Sequence, residues 1–176
     1  SDIDEATTYK ERLRIANKHF EELGSGSSRT AFKYKNFTIK IAKNQKGIDQ
    51  NKAEANPDLN SMYINKVLDI SKNNFWTKSN YLKILSENKF KDLTGFSFSD
   101  YSTSLNIFFD NSSSSKPKDY DKIIKKPYFK DWVKAIKDHD LMIGDLSKIS
   151  SFATNGKYPV LMDSGLTKKI FNKHYE

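Results

Sequence analysis

Between residues 29 and 42 the chain changes side every residue: Thr30, Phe32 and Tyr34 alternate with Ala31 and Lys33, then Phe37, Ile39 and Ile41 with Thr38 and Lys40. A period of two is the signature of a half-buried strand, and Lys35-Asn36 between the two runs suits a tight turn, so this stretch predicts a β-hairpin. Ahead of it stands "LGSGSS", two glycines and three hydroxyls, and its second strand carries Lys40 in its middle. Taken alone, the glycine turn is either a polar turn opening the hairpin or a loop that holds phosphate. The local pattern leaves both open.

The flanking segments have the helical period. From about residue 6 to 22, Tyr9, Leu13, Ala16, Phe20 and Leu23 fall three or four apart, which predicts a helix with one packing stripe. Residues 45–56 are polar and helix-compatible up to Pro57, with Ile48, Asn51 and Ala55 as a weakly apolar face. Residues 62–70 predict helix or helix plus strand, and "FWTKSNYLKILSE" a strand pair turning around Lys78-Ser79-Asn80. "DLTGFSFSDYSTSLNIFF" predicts one or two short helices, and "DNSSSSKPKD" a mobile loop. A helix after Pro127 places Phe129, Trp132, Val133 and Ile136 on one face, and Asn155-Gly156 marks a second hairpin. The order of elements is that of an α+β chain in two layers or lobes.

Composition narrows the function classes. The chain has 176 residues, room for one domain or two small lobes, with a formal charge of +8 and 30% charged against 36% apolar residues, as in a soluble globular protein. No apolar run approaches the roughly 20 residues that cross a bilayer, so no membrane partner is expected and the predicted compartment is cytoplasmic. There is no cysteine, and His19, His139 and His174 lack a metal-ligand spacing, which argues against zinc. The sequence begins at Ser1 without methionine, which predicts a trimmed, processed or engineered start.

Four features then occur in a fixed order: the turn at Gly24 and Gly26, the strand lysine Lys40, the helix acid Glu54, and two loop aspartates, Asp145 and Asp163, 18 residues apart. Each alone has an ordinary structural reading as a turn, a solvated strand residue, a surface acid or a loop cap. Together they resemble a protein-kinase-like fold. "LGSG" matches the start of the glycine-rich loop, "TIKIA" the lysine strand, and "QNKAEA" the helix that supplies the lysine's carboxylate partner. "IGDLSKIS" resembles the catalytic loop in the form used by small-molecule phosphotransferases, and "VLMDSG" the metal-binding motif. The combination "GSSRTAFKY", "IKIAKN", "QNKAEA", "LTGFSF" and "MDSGLTKKIF" is similar to short kinase-like proteins encoded by bacteriophages, for which the compartment would be host cytoplasm or virion.

The resemblance implies a minimal two-lobed kinase-like domain, with an N-terminal helix and N-lobe over about residues 1–88 and a reduced C-lobe over about 89–176. It implies ATP and Mg²⁺ as cofactors in an interlobe cleft. Gly24, Ser25, Gly26, Ser27 and Lys40 would bind nucleotide, Asp145, Lys40 and Glu54 would be catalytic, and Asp163 and Ser150 would hold metal. Glycine lets backbone N–H groups approach phosphate oxygens, a lysine neutralises phosphate charge, and carboxylates bind Mg²⁺ or accept a hydroxyl proton. A dinucleotide fingerprint would need glycine where Arg29 stands, and a P-loop a Gly-Lys-Ser/Thr that "GSGSSRT" lacks.

The sequence departs from the family pattern at Ser150, where such proteins usually place a metal-binding asparagine, and Asn155 is better explained by its hairpin turn. Only 13 residues follow Asp163, which leaves no room in this sequence for an activation segment or a large helical lobe. Three functions therefore stand: an ATP-dependent phosphotransferase acting on a protein or small-molecule acceptor, an inactive pseudokinase serving as nucleotide-binding or scaffolding module, and a basic nucleic-acid-binding protein. The last rests on residues 116–137, where eight lysines and three aspartates interleave with Tyr120, Tyr128, Phe129 and Trp132. The helical spacing of the apolar residues there disfavours it, because it turns the lysines into a solvated face.

Overall fold

The computed structural model describes residues 2–165 and 167–175. The chain is α+β and divides into two compact units, one of Ser1–Asn60, Lys66–Tyr81 and Lys169–Glu176, the other of Ser61–Asn65 and Leu82–Lys168. The C-terminal segment thus joins the first unit, although its place in the sequence put it with the second half.

The first unit is built on a five-stranded antiparallel sheet in the order β1-β2-β3-β5-β4. Its strands are β1 (Glu21–Ser25), β2 (Arg29–Tyr34), β3 (Phe37–Ala42), β4 (Val67–Ile70) and β5 (Trp76–Asn80). The expected hairpin is β2–β3, paired from Arg29–Ala42 to Tyr34–Phe37, with Lys35 at the turn in the left-handed region at φ 54°. Helices α1 (Asp2–Glu5) and α2 (Tyr9–His19) contribute Ile3 and Ala16 to a core with Phe32, Ile39 and Ile41, against which Tyr9, Leu13, Ile15, Phe20 and Trp76 pack. Thr8 caps α2 by accepting from the Glu11 N–H.

Helix α2 is shorter than its apolar spacing suggests. It stops at His19, Phe20 is already extended, and Glu21 to Ser25 form an edge strand on β2. The Phe20 ring lies 5.1 Å from Tyr34 and 6.3 Å from Phe32, so the same apolar residue that continued the helical stripe instead packs on the sheet. The glycine turn therefore joins two strands.

Two further expectations are corrected. Lys78, Ser79 and Asn80 are not a turn: they lie inside β5, where Lys78 pairs with Ile39, Ser79 with Thr38 and Asn80 with Phe37. Backbone pairing with β3 outweighs the weak turn propensity of Ser-Asn, and the Lys78 ammonium gains the Phe37 ring at 4.3 Å. The next strand, β6 (Lys83–Ile84), belongs to a different sheet. Residues 62–70 contain no helix. Tyr63 and Asn65 exchange backbone hydrogen bonds of 2.8 Å with Leu161, and β4 follows.

The second unit combines the three-stranded sheet β6-β7-β8, with β7 (Phe152–Thr154) and β8 (Pro159–Leu161), and helices α4 (Glu87–Thr94), α5 (Phe98–Phe108), α6 (Tyr120–Ile123) and α7 (Pro127–His139). Ser86 and Ser97 cap α4 and α5 through their hydroxyls. Gly95 ends α4 at φ +82°, the left-handed conformation that favours glycine. The core is aromatic: Phe90, Phe98, Tyr101, Tyr128, Phe129, Trp132 and Phe152 are all buried and meet mostly edge to face. Phe129, Trp132, Val133 and Ile136 turn inward on α7 as their spacing predicts, so these aromatic rings, with Tyr128, are taken up by the core. Lys130, Lys134 and Lys137 are left exposed.

Helix α8 (Lys168–Tyr175) returns to the first unit through Asp49 on α3 (Gln45–Glu54). The Asp49 carboxylate meets Lys173 Nζ and His174 Nε2 at 2.9 Å each and accepts from Gln45 at 2.9 Å. Burial alone would push this carboxyl up. The hydrogen bonds from His174, Lys173 and Gln45, with the Lys173 charge, more than reverse that and hold it at about 2.

Candidate functional site

Lys40 sits in the middle of β3 and Glu54 at the last turn of α3, and the two meet: Lys40 Nζ donates to Oε1 at 3.2 Å and Oε2 at 3.4 Å. Both side chains are nearly inaccessible, 7% exposed for Lys40 and 5% for Glu54. A second cation shares the carboxylate. Arg29, at the start of β2, reaches it with both guanidinium nitrogens, Nη1 to Oε2 at 2.6 Å and Nη2 to Oε1 at 2.9 Å. Burial would raise the Glu54 pKa, but the charges of Arg29 and Lys40 and their hydrogen bonds outweigh it and bring it to about 2, so Glu54 is ionised at neutral pH.

Arg29 belongs to a wider polar seam. Of the Ile48, Asn51, Ala55 face expected from the sequence only Asn51 is buried; Lys46, Gly47, Gln50, Asn51 and Glu54 form the inward face of α3. Gln50 Oε1 accepts from the Ser28 hydroxyl at 2.5 Å, Asn51 Oδ1 from Arg29 at 3.3 Å, and the Lys46 ammonium donates to Ser27 Oγ at 3.1 Å. Polar side chains can be buried here because each finds a partner. Gly47 is required by contact: a Cβ there would lie 2.1 Å from the Ser28 carbonyl oxygen and 3.0 Å from Ala42. Polar i, i+4, i+8 positions read from sequence as a solvated face, so only the glycine in the first turn of the helix hints at this close approach.

The glycine turn is held from its carbonyl side. Gly26 O accepts from Lys43 Nζ at 2.5 Å, Ser27 O from Asn44 Nδ2 at 3.1 Å, and Ser28 O from the Lys43 N–H at 2.8 Å. Asn44 also caps α3, its Oδ1 accepting from the Gly47 N–H at 3.0 Å. The Gly26 N–H is spent on Arg29 O at 2.9 Å. The Ser25 hydroxyl is 3.0 Å from that of Thr30. Neither Gly24 nor Gly26 is demanded by packing: a Cβ at Gly24 would meet nothing within 4 Å, and one at Gly26 only Arg29 O at 3.9 Å.

In the second unit, Asp145 opens a short 3-10 turn, Asp145–Ser147, and its carboxylate meets Lys148 Nζ at 3.0 Å. Helix α5 fixes this loop. Tyr101 donates its buried phenol to Leu146 O at 2.7 Å, and Asn106 donates to Ser147 Oγ at 3.0 Å. Ser150 is exposed within the following turn, Ile149–Ser151. Asp163 is exposed just beyond β8, where Met162 N donates to Ser151 O at 2.8 Å. Asn155 is occupied as a hairpin residue, its Oδ1 accepting from Lys157 N at 3.0 Å, with Gly156 at φ +93° beside it. Arg29, Tyr101 and Asn106 carry no local sequence signal, since each acts on a segment distant in the chain.

No protein-family model and no curated protein matches the sequence. Solved structures do align with it. One is a choline/ethanolamine kinase family protein from Mesorhizobium loti, 15% identical at a TM-score of 0.44, with 83% of this chain and 57% of that one covered, so the chain spans little more than half its length. Another is the GDP and kanamycin complex of APH(2")-IIia, 16% identical at a TM-score of 0.45, covering 87% of this chain and 71% of the other. A third is the GDP complex of wild-type aminoglycoside 2'-phosphotransferase-IIIa, 13% identical at a TM-score of 0.46, covering 91% and 73%. The chain is similar to these proteins in the layout of its fold.

Proposed function

We propose that this chain is a kinase-like phosphotransferase that binds ATP with Mg²⁺ and moves the terminal phosphoryl group to an acceptor hydroxyl. The observation that carries the reading is the buried Lys40, held extended from β3 by the carboxylate of Glu54. A lysine kept at a strand centre by a helix acid is a fixed positive charge suited to phosphate oxygens. The turn of Gly24, Ser25, Gly26 and Ser27 fits the same role, because a glycine that packing does not require leaves room for a ligand to come close. Its contribution excludes the Gly26 amide, which is already bonded.

The oxygen donors that would hold Mg²⁺ are the Asp163 carboxylate and the Ser150 hydroxyl, both exposed and both hard ligands of the type this ion takes. The ion would neutralise charge on the phosphates. Asp145, on the loop fixed by Tyr101, orients the acceptor hydroxyl and takes its proton as the new O–P bond forms and ADP departs. The acceptor is a protein or a small molecule, and a bacteriophage origin fits the motif combination.

The test is ATP affinity by calorimetry and radiolabel transfer, for the parent, Lys40→Ala and Asp163→Asn. Lys40→Ala is expected to weaken ATP binding about tenfold or more, the loss of a charged hydrogen bond in a buried site. Asp163→Asn is expected to abolish transfer while only denting binding. A parent that binds ATP tightly with no dependence on Lys40 would overturn the assignment. One observation favours a second reading, a nucleotide-binding pseudokinase: Ser150 offers a weaker ligand than the asparagine of active relatives, and ATP binding without any transfer would select it.

A further inference from the structure

The Glu54 carboxylate is shared unequally. Arg29 spans both oxygens with its planar fork at 2.6 and 2.9 Å, whereas the Lys40 ammonium lies farther out, at 3.2 and 3.4 Å. The Arg29 side chain is itself largely covered, 11% exposed, and is steadied by Asn51 Oδ1 at 3.3 Å, one turn before Glu54 on the same helix. A bidentate guanidinium is the strongest pairing a carboxylate finds among side chains, and here it bonds both oxygens at shorter distances than the ammonium does.

That geometry has a consequence for a lysine that must serve phosphate. If a buried carboxylate has only a lysine for a partner, moving the ammonium toward an incoming anion strips the carboxylate of its counter-charge, and an unpaired buried charge is strongly unfavourable. With Arg29 in place the carboxylate stays ionised and bonded while the ammonium moves. We propose that Arg29 is a positioning residue for Lys40: it holds Glu54 charged and oriented on its own, so that the Lys40 ammonium passes between Glu54 and a nucleotide phosphate oxygen without leaving a bare carboxylate behind. This rests on the phosphate-binding role given to Lys40 above. Arg29 directs both terminal nitrogens at Glu54, so its role is assigned to the carboxylate rather than to the phosphate.

The seam on α3 supports the same assignment. Ser28 and Arg29 are gripped by Gln50, Asn51 and Glu54, and the Gly47 backbone lies against the Ser28 carbonyl, so the start of β2 and helix α3 form one interlocked body. Among the described residues, the charged groups paired with Glu54 are Arg29 from β2 and Lys40 from β3. The depressed Glu54 pKa follows from that pair, the Arg29 charge being the larger of the two attractive contributions.

Two measurements decide it. The first is a cycle of ATP affinities, by calorimetry, for the parent, Arg29→Gln, Glu54→Gln and the double variant. Arg29→Gln is expected to weaken ATP binding about tenfold in the parent background, the scale of one charged hydrogen bond, and to make no further difference once Glu54 is glutamine. An equal loss in both backgrounds would mean direct phosphate contact and would overturn the proposal, as would no loss in either. The second measurement needs no ligand. Carbon-detected NMR of the glutamate side chains should show Glu54 staying a carboxylate from pH 6 down to about 3.5 in the parent, and titrating inside that range in Arg29→Gln.

Arg29→Lys, which keeps the charge and loses the fork, is expected to recover part of both effects; an arginine that served stability alone would lower thermal stability on replacement and leave ATP affinity where it was. Should Arg29→Gln fail to fold, Arg29→Lys carries both measurements. If the parent binds no ATP, the phosphate role of Lys40 falls. An unchanged Glu54 titration instead removes the role of Arg29.

Discussion

In the first unit helix α3 turns Lys46, Gln50, Asn51 and Glu54 inward against the glycine turn, whereas in the second helix α7 turns Tyr128, Phe129, Trp132 and Ile136 inward against other rings. The two helices solve the same burial problem with opposite chemistry. Aromatic packing is driven by area and tolerates small shifts, so it stabilises without fixing any charge in place. A buried polar seam contributes less net free energy but fails unless every partner is present, and it therefore fixes position. The lysine and acid of the candidate site lie on the polar seam; the candidate aspartates lie on loops that the aromatic core carries.

The sharpest way to break this contrast is Trp132→Ala. Trp132 is fully buried among Tyr101, Tyr128 and Phe152 and donates its indole N–H to Tyr63 O at 2.8 Å. Truncation opens a cavity and removes one of the two hydrogen bonds to that carbonyl, which keeps the Leu161 N–H at 2.8 Å, with an expected loss of about 3–5 kcal/mol in denaturant unfolding. A loss below about 1 kcal/mol would mean that the aromatic core collapses freely around the gap.

Acid should attack the other unit. The folded-state pKa of Glu54 lies at about 2 against an ordinary 4.5, so its contribution is fully present above pH 4.5 and disappears as pH falls toward 2. Its size is on the order of 3 kcal/mol. Asp49, held at about 2 by His174, Lys173 and Gln45 against its own burial, loses its contribution over the same direction of pH, but with more solvent screening. Unfolding free energies measured from pH 6 to 3 should fall in the parent and fall distinctly less in Glu54→Gln. Equal slopes would show that the buried cluster is not what acid disrupts.

A smaller change tests how tightly the seam is fitted. Gly47→Ala drives a Cβ to 2.1 Å from the Ser28 carbonyl oxygen, so α3 must back away from β2. The expected cost is about 1–3 kcal/mol by unfolding, the range of overpacked cores. Weaker ATP binding should accompany it, because Glu54 moves with the helix. Gly24→Ala, whose Cβ meets nothing, is the matched control for stability.

What the sequence disclosed follows the same division. The β2–β3 hairpin, the α7 stripe and the Asn155-Gly156 turn were legible because each depends on neighbours in sequence: a period of two, a period of 3.6, a left-handed glycine. The order of Gly24, Lys40, Glu54, Asp145 and Asp163 marks candidate residues in the sequence, and of these the structure joins Lys40 to Glu54. The end of α2 was misread because Phe20 satisfies a helix stripe and a sheet contact equally, and only pairing with β2 decides between them. The Lys78–Asn80 strand was misread because its partner, β3, lies some forty residues earlier. Arg29 shows in the sequence only as a residue that is not glycine; its meaning comes from Glu54, which a hairpin and a helix bring back to it. Polar seams hide from periodicity because the hydrophobic pattern assigns their residues to solvent.

The smallest expected effect concerns the loop of Asp145. Its ion pair with Lys148 is 3.0 Å long, but the Lys148 side chain is 59% exposed, so Lys148→Ala should change stability by less than about 1 kcal/mol. The loop keeps its place without that pair, through Tyr101 to Leu146 O and Asn106 to Ser147 Oγ. Asp145→Asn should be equally mild in unfolding and in ATP affinity, since its proposed role begins only when an acceptor hydroxyl is present. Transfer is where the two variants should part: Asp145→Asn lowers kcat steeply with the nucleotide KM unchanged, and Lys148→Ala changes it modestly. If Asp145→Asn transfers phosphate as fast as the parent, the loop is a structural turn carried by α5, and the second unit's part in the reaction narrows to Asp163.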